Sequence, residues 1–293
     1  MEKRYCCSWR VKMSAKVKNF YETYPDRIFD KRYNSPYWLR SYTHRQIYDQ
    51  FLPYLKKGMQ VLDAGCGEGV LSCLIAQQGI DVVGVDLSAP NIEAAGRLAY
   101  QWNVNPKFLQ GDAENIPFSD NSFDVVISSH VLEHLPDLHQ GLRELYRVTR
   151  SVALIAMPTC LNPACWVLLG GDRYWKLGRR SLMAMPIGLS KTIVAWLSGK
   201  EGPDEGYAGN NELPHIWRFP WVMRQQIESV GFQIEKFEAG PLIFPYLTQY
   251  IPPLQSVQIA IDTYRDRPLL HNFGYGSMAV CYKKSISDSS SKF

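Results

Sequence analysis

The sequence predicts an α/β protein organised around a doubly wound, mostly parallel sheet. Three observations favour this class. Short apolar runs alternate with amphipathic helical patterns from Gln60 onwards, a glycine-rich turn follows the first apolar run, and the second apolar run ends in Asp86. Crossovers between neighbouring parallel strands are right-handed, so a ligand is expected at the carboxyl ends of the strands.

The first strand and its turn occupy residues 61–71, with the sequence Val-Leu-Asp-Ala-Gly-Cys-Gly-Glu-Gly-Val-Leu. Glycines at positions 65, 67 and 69 let the backbone turn tightly and let a ligand lie against bare main chain. The helix that follows offers N–H groups without helical partners to the same ligand. A tight strand-to-helix turn that binds nothing is the alternative interpretation.

The second strand, residues 82–86, argues for a ligand. It ends in the carboxylate of Asp86, 21 residues after Gly65, where an acidic side chain can accept hydrogen bonds from ribose hydroxyls. Strand, glycine-rich turn, helix, strand and terminal acid together are typical of the first half of a nucleotide-binding unit.

The remaining elements follow from the same periodicities. Ser88 or Asn91 supplies a start for the helix after the second strand, and Asp137 supplies one for a later helix. We predict strands at residues 60–64, 82–86, 106–110, 123–129, 151–157, 232–238 and 277–283. We predict helices at residues 69–78, 89–102, 137–149 and 219–230.

The glycine spacing separates two kinds of nucleotide ligand. A dinucleotide turn is expected as G-x-G-x-x-G, whereas here Asp63 precedes glycines at 65, 67 and 69. This pattern resembles the E/D-x-G-x-G-x-G turn of the class I S-adenosylmethionine-dependent methyltransferases, in the type 11-like group that acts on small molecules and lipids. The resemblance is close over residues 57–157. It implies a Rossmann-like, seven-stranded sheet of order 3-2-1-4-5-7-6, closed by an antiparallel pair.

The resemblance also implies a site for S-adenosylmethionine. In it Asp86 takes the ribose hydroxyls, Asp112 accepts from the adenine amino group, the Ala113 amide donates to the ring, and Leu87 covers the adenine face. Cys66 is interpreted as a small residue of the turn, because no His or Asp pattern pairs with it as a nucleophile would need. The implied cofactor-binding residues are Asp63, Gly65, Cys66, Gly67, Gly69, Asp86, Leu87, Asp112, Ala113, Ser128 and Ser129.

Methyl transfer from a sulfonium needs alignment and exclusion of water, and it needs a base only when the acceptor must first lose a proton. Three histidines are candidates for that base: His130, His134 and His215. A loop histidine is more often a packing or hydrogen-bonding residue, so a structural role is the alternative interpretation for each of the three.

The chain divides around the cofactor core at residues 57–157. Residues 1–56 form a helical arm rich in Tyr, Arg and His, which is either a lid over the cofactor or an aromatic layer packed on the sheet. A basic and hydrophobic insertion follows at 158–217. Residues 218–284 complete the core and carry a second insertion at 240–274, and a serine-rich tail at 285–293 is expected to be disordered.

The insertions are expected to face the methyl acceptor. Residues 173–200 contain six basic residues, no acidic ones and many large apolar ones. They form either a lid whose apolar face closes the acceptor pocket or an interfacial helix that contacts an anionic membrane. Both insertions favour a small hydrophobic acceptor. Nucleic acid is disfavoured, because the basic side chains alternate with aliphatic ones.

Composition and charge argue against several other classes of protein. A net charge of +4 is too small to indicate a nucleic-acid partner, and seven cysteines without a C-x-x-C pair argue against a disulfide framework or a zinc site. The sequence therefore predicts no metal. The N-terminus lacks the apolar run of a secretion signal, and the nearest candidate for a membrane span, residues 181–199, is interrupted by Pro186 and Lys191. A cytoplasmic location, with residues 173–200 as a possible membrane contact, is expected.

The leading hypothesis is an S-adenosylmethionine-dependent methyltransferase that methylates oxygen or carbon in a small hydrophobic or lipid-linked metabolite. A nicotinamide-dependent oxidoreductase is disfavoured by the glycine spacing and by the loop Gly111-Asp112-Ala113. A non-catalytic protein that binds the cofactor without transferring the methyl group is a third alternative.

Overall fold

A seven-stranded sheet runs through the centre of the molecule in the order β3-β2-β1-β4-β5-β7-β6. All neighbours are parallel except β7, which is antiparallel to both β5 and β6. The predicted order and the closing antiparallel pair are confirmed. The strands are β1 Gln60–Ala64, β2 Asp81–Asp86, β3 Lys107–Gln110, β4 Phe123–Ser129, β5 Thr149–Met157, β6 Phe232–Ala239 and β7 Ser277–Lys283.

The computed structural model describes residues 19–20, 29–205 and 215–283. The first part of the N-terminal arm and the serine-rich tail at 285–293 lie outside the described residues. The helices are α1 Trp38–Asp49, α2 Val70–Gln77, α3 Ala89–Gln101, α4 Leu138–Val148, α5 Pro163–Leu169, α6 Ser181–Leu197, α7 Pro220–Ser229, α8 Leu247–Tyr250 and α9 Leu254–Asp262. A short 3₁₀ turn at Leu132–His134 follows β4.

Both faces of the sheet are covered, because the parallel strands are apolar on both sides. Leu142 and Leu145 of α4 join one buried cluster, together with residues of α7, and Ile75 of α2 joins the other. Ile47 of α1 and Phe51 belong to that second cluster. The C-terminal half of α1 therefore packs against the sheet.

The helices begin where local chemistry favours it. The Ser88 hydroxyl accepts a hydrogen bond from the Asn91 N–H at the start of α3, and the Asp137 carboxylate accepts one from the Gln140 N–H at the start of α4. These side chains satisfy helix N–H groups that have no carbonyl partner within the helix. Two of the predicted helix starts are confirmed.

The first insertion folds as a pair of helices, α5 and α6, in close backbone contact. A Cβ atom on Gly188 of α6 would lie 1.8 Å from the carbonyl oxygen of Trp166, and one on Gly170 would lie 1.9 Å from that of Ala184. Small residues therefore fill the interface between the two helices. Among the described residues, no helix has both the length and the apolar character needed to cross a bilayer.

Candidate active site

A cavity of about 430 Å³ opens at the carboxyl ends of β1, β2 and β4, the place that the sheet topology predicts for a ligand. One side of its wall comes from the glycine turn, the end of β2 and the loop at 111–113. Another part comes from α1, from the first insertion and from Tyr275, which follows the second insertion. A cavity lined in this way has room for a cofactor and an acceptor side by side.

The glycine turn is held by the neighbouring strand. The N–H groups of Gly65 and Cys66 donate to the carbonyl oxygen of Val85, over 2.7 and 3.0 Å. Gly65, Gly67 and Gly69 have φ values of 82°, 53° and 74°, in the left-handed region that favours glycine.

The three glycines do not share one role. Gly65 and Gly67 lie in the cavity wall, whereas Gly69 is not among the residues that line it. A Cβ atom on Gly69 would lie 2.7 Å from Ala95 of α3 and from the ring of Phe108. In this structure Gly69 allows α2 to pack closely against its neighbours.

Asp86 connects the turn to the next helix. Its Oδ2 accepts from the Gly67 N–H at 2.8 Å, and its Oδ1 accepts from the Ser88 N–H at 2.9 Å and from Nδ2 of Asn91 at 3.2 Å. Burial raises the pKa of this carboxyl, although the three hydrogen bonds oppose the shift. A carboxylate has about four acceptor positions, so about one remains for a ribose hydroxyl. The geometry fits a nucleoside held at this edge.

The loop after β3 forms a further part of the cavity wall. Asp112 accepts from the Glu114 N–H at 2.8 Å, so its carboxylate stabilises the turn as well as lining the cavity. Leu87 and Ala113 also line the cavity, as the resemblance implies. Asp112 therefore belongs both to the turn and to the cavity wall.

Asp63 and Cys66 form the buried floor of the turn. The Asp63 carboxylate accepts a 2.6 Å hydrogen bond from the Ser72 hydroxyl, and burial raises its pKa to about 6. Burial likewise raises the pKa of the Cys66 thiol well above its usual value, which is unfavourable for a nucleophile. Ser129 lines the cavity, whereas Ser128 is buried and is not among the lining residues.

The three candidate histidines all reach the cavity wall. His134 and His215, 81 residues apart in the chain, pack with ring centroids 4.7 Å apart and ring planes tilted by 31°. His130 has a φ of 56°, which is unusual for a residue with a side chain, and its Nδ1 lies 3.4 Å from Oε1 of Glu133. The structure therefore brings the three histidines together in one cavity wall, although nothing in the sequence indicated that they are neighbours.

Glu133 lies at the centre of this histidine group. Burial by itself would raise its pKa, but the contact with His130 and the charges of the neighbouring histidines outweigh burial and lower it to about 2. Burial lowers the pKa of His134 to about 3, because the attraction to Glu133 compensates only part of the lost hydration. Nδ1 of His215 lies 3.2 Å from Oε2 of Glu205, which also accepts from the indole of Trp217 at 2.7 Å.

The acceptor side of the cavity is aromatic and basic. Trp175, Trp217 and Tyr275 line it, and the guanidinium of Arg40 lies 4.2 Å from the ring centre of Trp175. Lys31, Arg32 and His44 complete this wall. Residues of the arm therefore form part of the cavity wall.

Helix α6 departs from one interpretation of the sequence. None of its residues lines the cavity. Its buried positions are small (Ser181, Ala184, Gly188, Thr192 and Ala195), and its large apolar side chains face outward. The apolar face of α6 therefore does not close the acceptor pocket. Other residues of the first insertion, Trp175 among them, line the cavity instead.

Several cavity residues escaped the sequence analysis, namely Glu133, Glu205, Trp217 and Tyr275. For Glu133 a signal was available, because it directly precedes His134 at the end of a strand. For the other three the sequence carries no signal, since their proximity depends on how the first insertion and the segment before β7 fold.

Comparisons with known proteins agree with this geometry. A family model described as a methyltransferase domain matches residues 62–157. A ubiquinone biosynthesis O-methyltransferase of Sinorhizobium fredii is 31% identical over 196 residues, which cover 60% of this chain and 76% of the relative. A malonyl-[acyl-carrier protein] O-methyltransferase of Pectobacterium atrosepticum is 38% identical over 102 residues, which are 35% of this chain but only 39% of that relative.

Solved structures show the same fold. Magnesium protoporphyrin IX methyltransferase from Synechocystis PCC 6803, solved with bound S-adenosylmethionine, aligns over 93% of this chain and 97% of its own with a TM-score of 0.56 and 15% identity. A methyltransferase from Methanosarcina mazei aligns over 80% and 96% of the two chains, with a TM-score of 0.53 and 18% identity. The cofactor is S-adenosylmethionine, and the protein is an enzyme that transfers its methyl group. By its glycine turn, its sheet order and these relatives, the chain belongs to the class I S-adenosylmethionine-dependent methyltransferases.

Proposed function

We propose that this enzyme methylates a hydroxyl oxygen of a small hydrophobic or lipid-linked acceptor. The observation that carries the proposal is the composition of the cavity. The glycine turn and Asp86 form one wall, and an aromatic wall with basic side chains faces them. Aromatic rings favour a planar apolar group, and Arg40 with its basic neighbours favours an acceptor that carries an anionic group.

The names of the relatives support the choice of oxygen. The two sequence relatives described above are both named as O-methyltransferases, one in ubiquinone biosynthesis and one acting on malonyl-[acyl-carrier protein]. A demethylmenaquinone methyltransferase of Lactobacillus johnsonii is 32% identical over 131 residues and 53% of its length. These names agree with an apolar or carrier-linked acceptor, and carbon methylation is the competing outcome.

The proposed residue roles follow from position. The cofactor, when bound, supplies a methyl group on a sulfonium. The sulfur leaves as a neutral thioether, so its departure needs no acid. Asp86 holds the nucleoside, Trp175 and Trp217 orient the acceptor and exclude water, and His130 removes the hydroxyl proton. The Glu133 carboxylate, 3.4 Å from Nδ1, orients the His130 ring. The acceptor oxygen and the methyl carbon form the new bond, and the sulfur keeps the electron pair of the old one.

The test is transfer of a labelled methyl group from S-adenosylmethionine to defined acceptors. A catechol with a short prenyl tail is compared with the same catechol lacking the tail, and malonyl and saturated acyl thioesters form a second matched pair. We expect an ether product with the prenylated catechol preferred, and a methyl ester formed on the malonyl carboxylate would instead identify a carboxylate acceptor. A product methylated on carbon, or turnover independent of the apolar group, would contradict the proposal.

The His130 assignment has its own variants. His130→Gln is expected to lower kcat about 100-fold while the affinity for S-adenosylmethionine stays unchanged, because only proton removal is lost. His139→Gln, on the exposed face of α4, serves as the control. Full turnover of His130→Gln would show that alignment of the acceptor suffices.

We also propose that residues 173–200 contact an anionic membrane surface, where a lipid-linked acceptor would be found. The exposed fractions of Leu182, Trp196 and Leu197 in α6 are 93%, 60% and 72%. Basic side chains flank these residues in the sequence, a combination typical of interfacial helices. One of them, Lys191, donates to the carbonyl oxygen of Leu169 and is part of the fold.

Co-sedimentation with vesicles tests this contact. Wild-type protein is expected to sediment with vesicles that contain anionic lipid and to remain in the supernatant with neutral vesicles. The double variant Leu182→Asp/Trp196→Asp should lose binding, whereas Tyr100→Asp, at an equally exposed residue of α3, should keep it. Equal binding of both variants would refute the membrane contact, and a shift from dimer to monomer in the double variant alone would assign the surface to self-association.

A further inference from the structure

The side chain of Glu133 is buried in an unusual way. Glu133 is 3% exposed, and neither of its carboxylate oxygens has a hydrogen-bond partner among the described residues. Oε1 of Glu133 lies 3.4 Å from Nδ1 of His130 and 3.8 Å from Nε2 of His134, both as ion-pair contacts. Buried carboxylates are normally paired, hydrogen-bonded or bound to a metal, so this side chain indicates a missing partner.

Two imidazoles converge on the same point. One ligand atom each from Glu133, His134 and His215 lies within 4.8 Å of the other two. His134 and Glu133 come from the 3₁₀ turn after β4, and His215 comes from the end of the first insertion. Metal bonds of about 2.1 Å need these atoms to approach by roughly a further 1 Å, which side-chain rotation supplies.

We propose that Glu133, His134 and His215 form a binding site for one divalent transition-metal ion in the wall of the acceptor cavity. Two imidazole nitrogens and one carboxylate oxygen favour Zn²⁺, Mn²⁺, Fe²⁺ or Co²⁺ over Mg²⁺ and Ca²⁺, which prefer oxygen ligands throughout. This site differs from the sequence prediction of no metal, which rested on the cysteines and could not bring His215 beside His134.

Carboxylates lie beside the two imidazoles, although the charge of Arg32 also acts on His134. Oε2 of Glu205 lies 3.2 Å from Nδ1 of His215, the kind of carboxylate contact that orients a metal-binding imidazole. Arg218 is buried nearby and its charge acts on Glu133, but Glu201 lies 3.5 Å from its guanidinium and balances it. Glu133 and Glu205 then provide two negative charges for a divalent ion.

The site also suits the chemistry, and this role rests on the proposed function. Glu133, His134, Glu205 and His215 all line the cavity that is proposed to hold the acceptor. A metal ion there would bind the acceptor oxygen and lower the pKa of its hydroxyl, so that a proton is released near neutral pH. An acceptor with two neighbouring oxygens, such as a catechol or a β-dicarbonyl, would bind the ion through both.

The test measures metal binding without cofactor or acceptor, so it does not depend on the methyl transfer. Untagged full-length protein is treated with a chelator, dialysed and titrated with Co²⁺, with visible absorption and calorimetry as readouts. We expect one Co²⁺ per chain, displaced by Zn²⁺. Glu133→Gln keeps the shape of the side chain and should weaken Co²⁺ binding by more than the roughly 10- to 100-fold that loss of an outer hydrogen-bonding partner costs.

His139→Gln removes an exposed histidine and should bind Co²⁺ like the wild type. His215→Gln should bind as weakly as Glu133→Gln, and circular dichroism checks that each variant is folded. Absence of stoichiometric binding of Co²⁺, Zn²⁺ and Mn²⁺ by the folded wild type, or unchanged binding by Glu133→Gln, would overturn the proposal. Methyl transfer to a hydrophobic hydroxyl without metal would overturn the metal's role and leave the proposed function intact.

Discussion

At the scale of single residues, the site depends on carboxylates that serve structure and ligand together. Asp86 holds the turn through the Gly67 N–H and the next helix through Ser88 and Asn91. Asp112 holds its own loop in the same way. A carboxylate fixed by backbone donors cannot rotate away, so it meets the ligand without a further loss of side-chain entropy.

Replacing Asp86 by Ala should lower the affinity for S-adenosylmethionine about 10- to 100-fold. The variant loses about one charge-assisted hydrogen bond to the ribose, and the Gly67 N–H loses its acceptor. Calorimetric titration measures the change. Asp81→Ala, at the exposed start of the same strand, is the control and should bind normally. Unchanged affinity in Asp86→Ala would place the ribose elsewhere.

Asp63 should make stability depend on pH. Its pKa is about 6 in the folded chain and 3.8 as a free group, so between these values the folded state holds more protons than the unfolded state. The free energy of unfolding should therefore fall as pH rises from about 4 to 6, by at most about 3 kcal/mol, and the loss should persist above pH 6.

Urea unfolding of wild type and Asp63→Asn at several pH values between 4 and 7 measures this contribution. The variant keeps the shape of the side chain but cannot ionise, so its stability relative to the wild type should rise across that range. Parallel stability curves for the two proteins would show that the Asp63 carboxyl titrates normally.

At the scale of elements, α6 shows where hydrophobic pattern and packing diverge. Periodicity arguments place the large apolar side chains inside. In α6 the inner face is instead small, because the backbone of α5 lies too close for anything larger, and the large residues face outward. The strands and the helices α2, α3, α4 and α7 obey the usual rule, and the sequence predicted them to within two residues at each end.

A pair of glycines tests this packing. Gly188→Ala should lower the free energy of unfolding by about 1–3 kcal/mol, because its Cβ would lie 1.8 Å from the Trp166 carbonyl oxygen and the two helices would have to separate. Gly96→Ala, in α3 with open space around it, should raise that free energy by about 0.5–1 kcal/mol. Thermal or urea unfolding compares the two. Stabilisation by both substitutions would show that α5 and α6 are not in close contact.

At the scale of the whole molecule, the cofactor half of the cavity was predictable and the acceptor half was not. Gly65, Asp86 and Asp112 follow strands whose order is fixed by βα alternation, so their proximity follows from topology. His215, Trp217 and the residues of the arm meet only because the first insertion and the arm fold over the sheet edge. Local sequence does not encode such distant contacts, although the apolar character of both insertions indicated the kind of acceptor.

S-adenosylmethionine and S-adenosylhomocysteine should each raise the melting temperature of the intact chain, whereas NADH should not. A ligand that binds only the folded state adds about 2.7 kcal/mol of stability at 100 times its Kd. Differential scanning fluorimetry at matched ligand concentrations measures the shift. Stabilisation by NADH alone would instead support a nicotinamide-dependent enzyme.

The position of β7 between β5 and β6 has a consequence for biosynthesis. In the described part of the chain, β6 pairs with β7 alone, and β5 has one open side until β7 is added. Because β7 ends at Lys283, the ribosome must translate that far before either edge is covered. Nascent chains stalled before residue 277 would expose two adjacent strand edges, a species that chaperones should retain and that should aggregate when they are depleted.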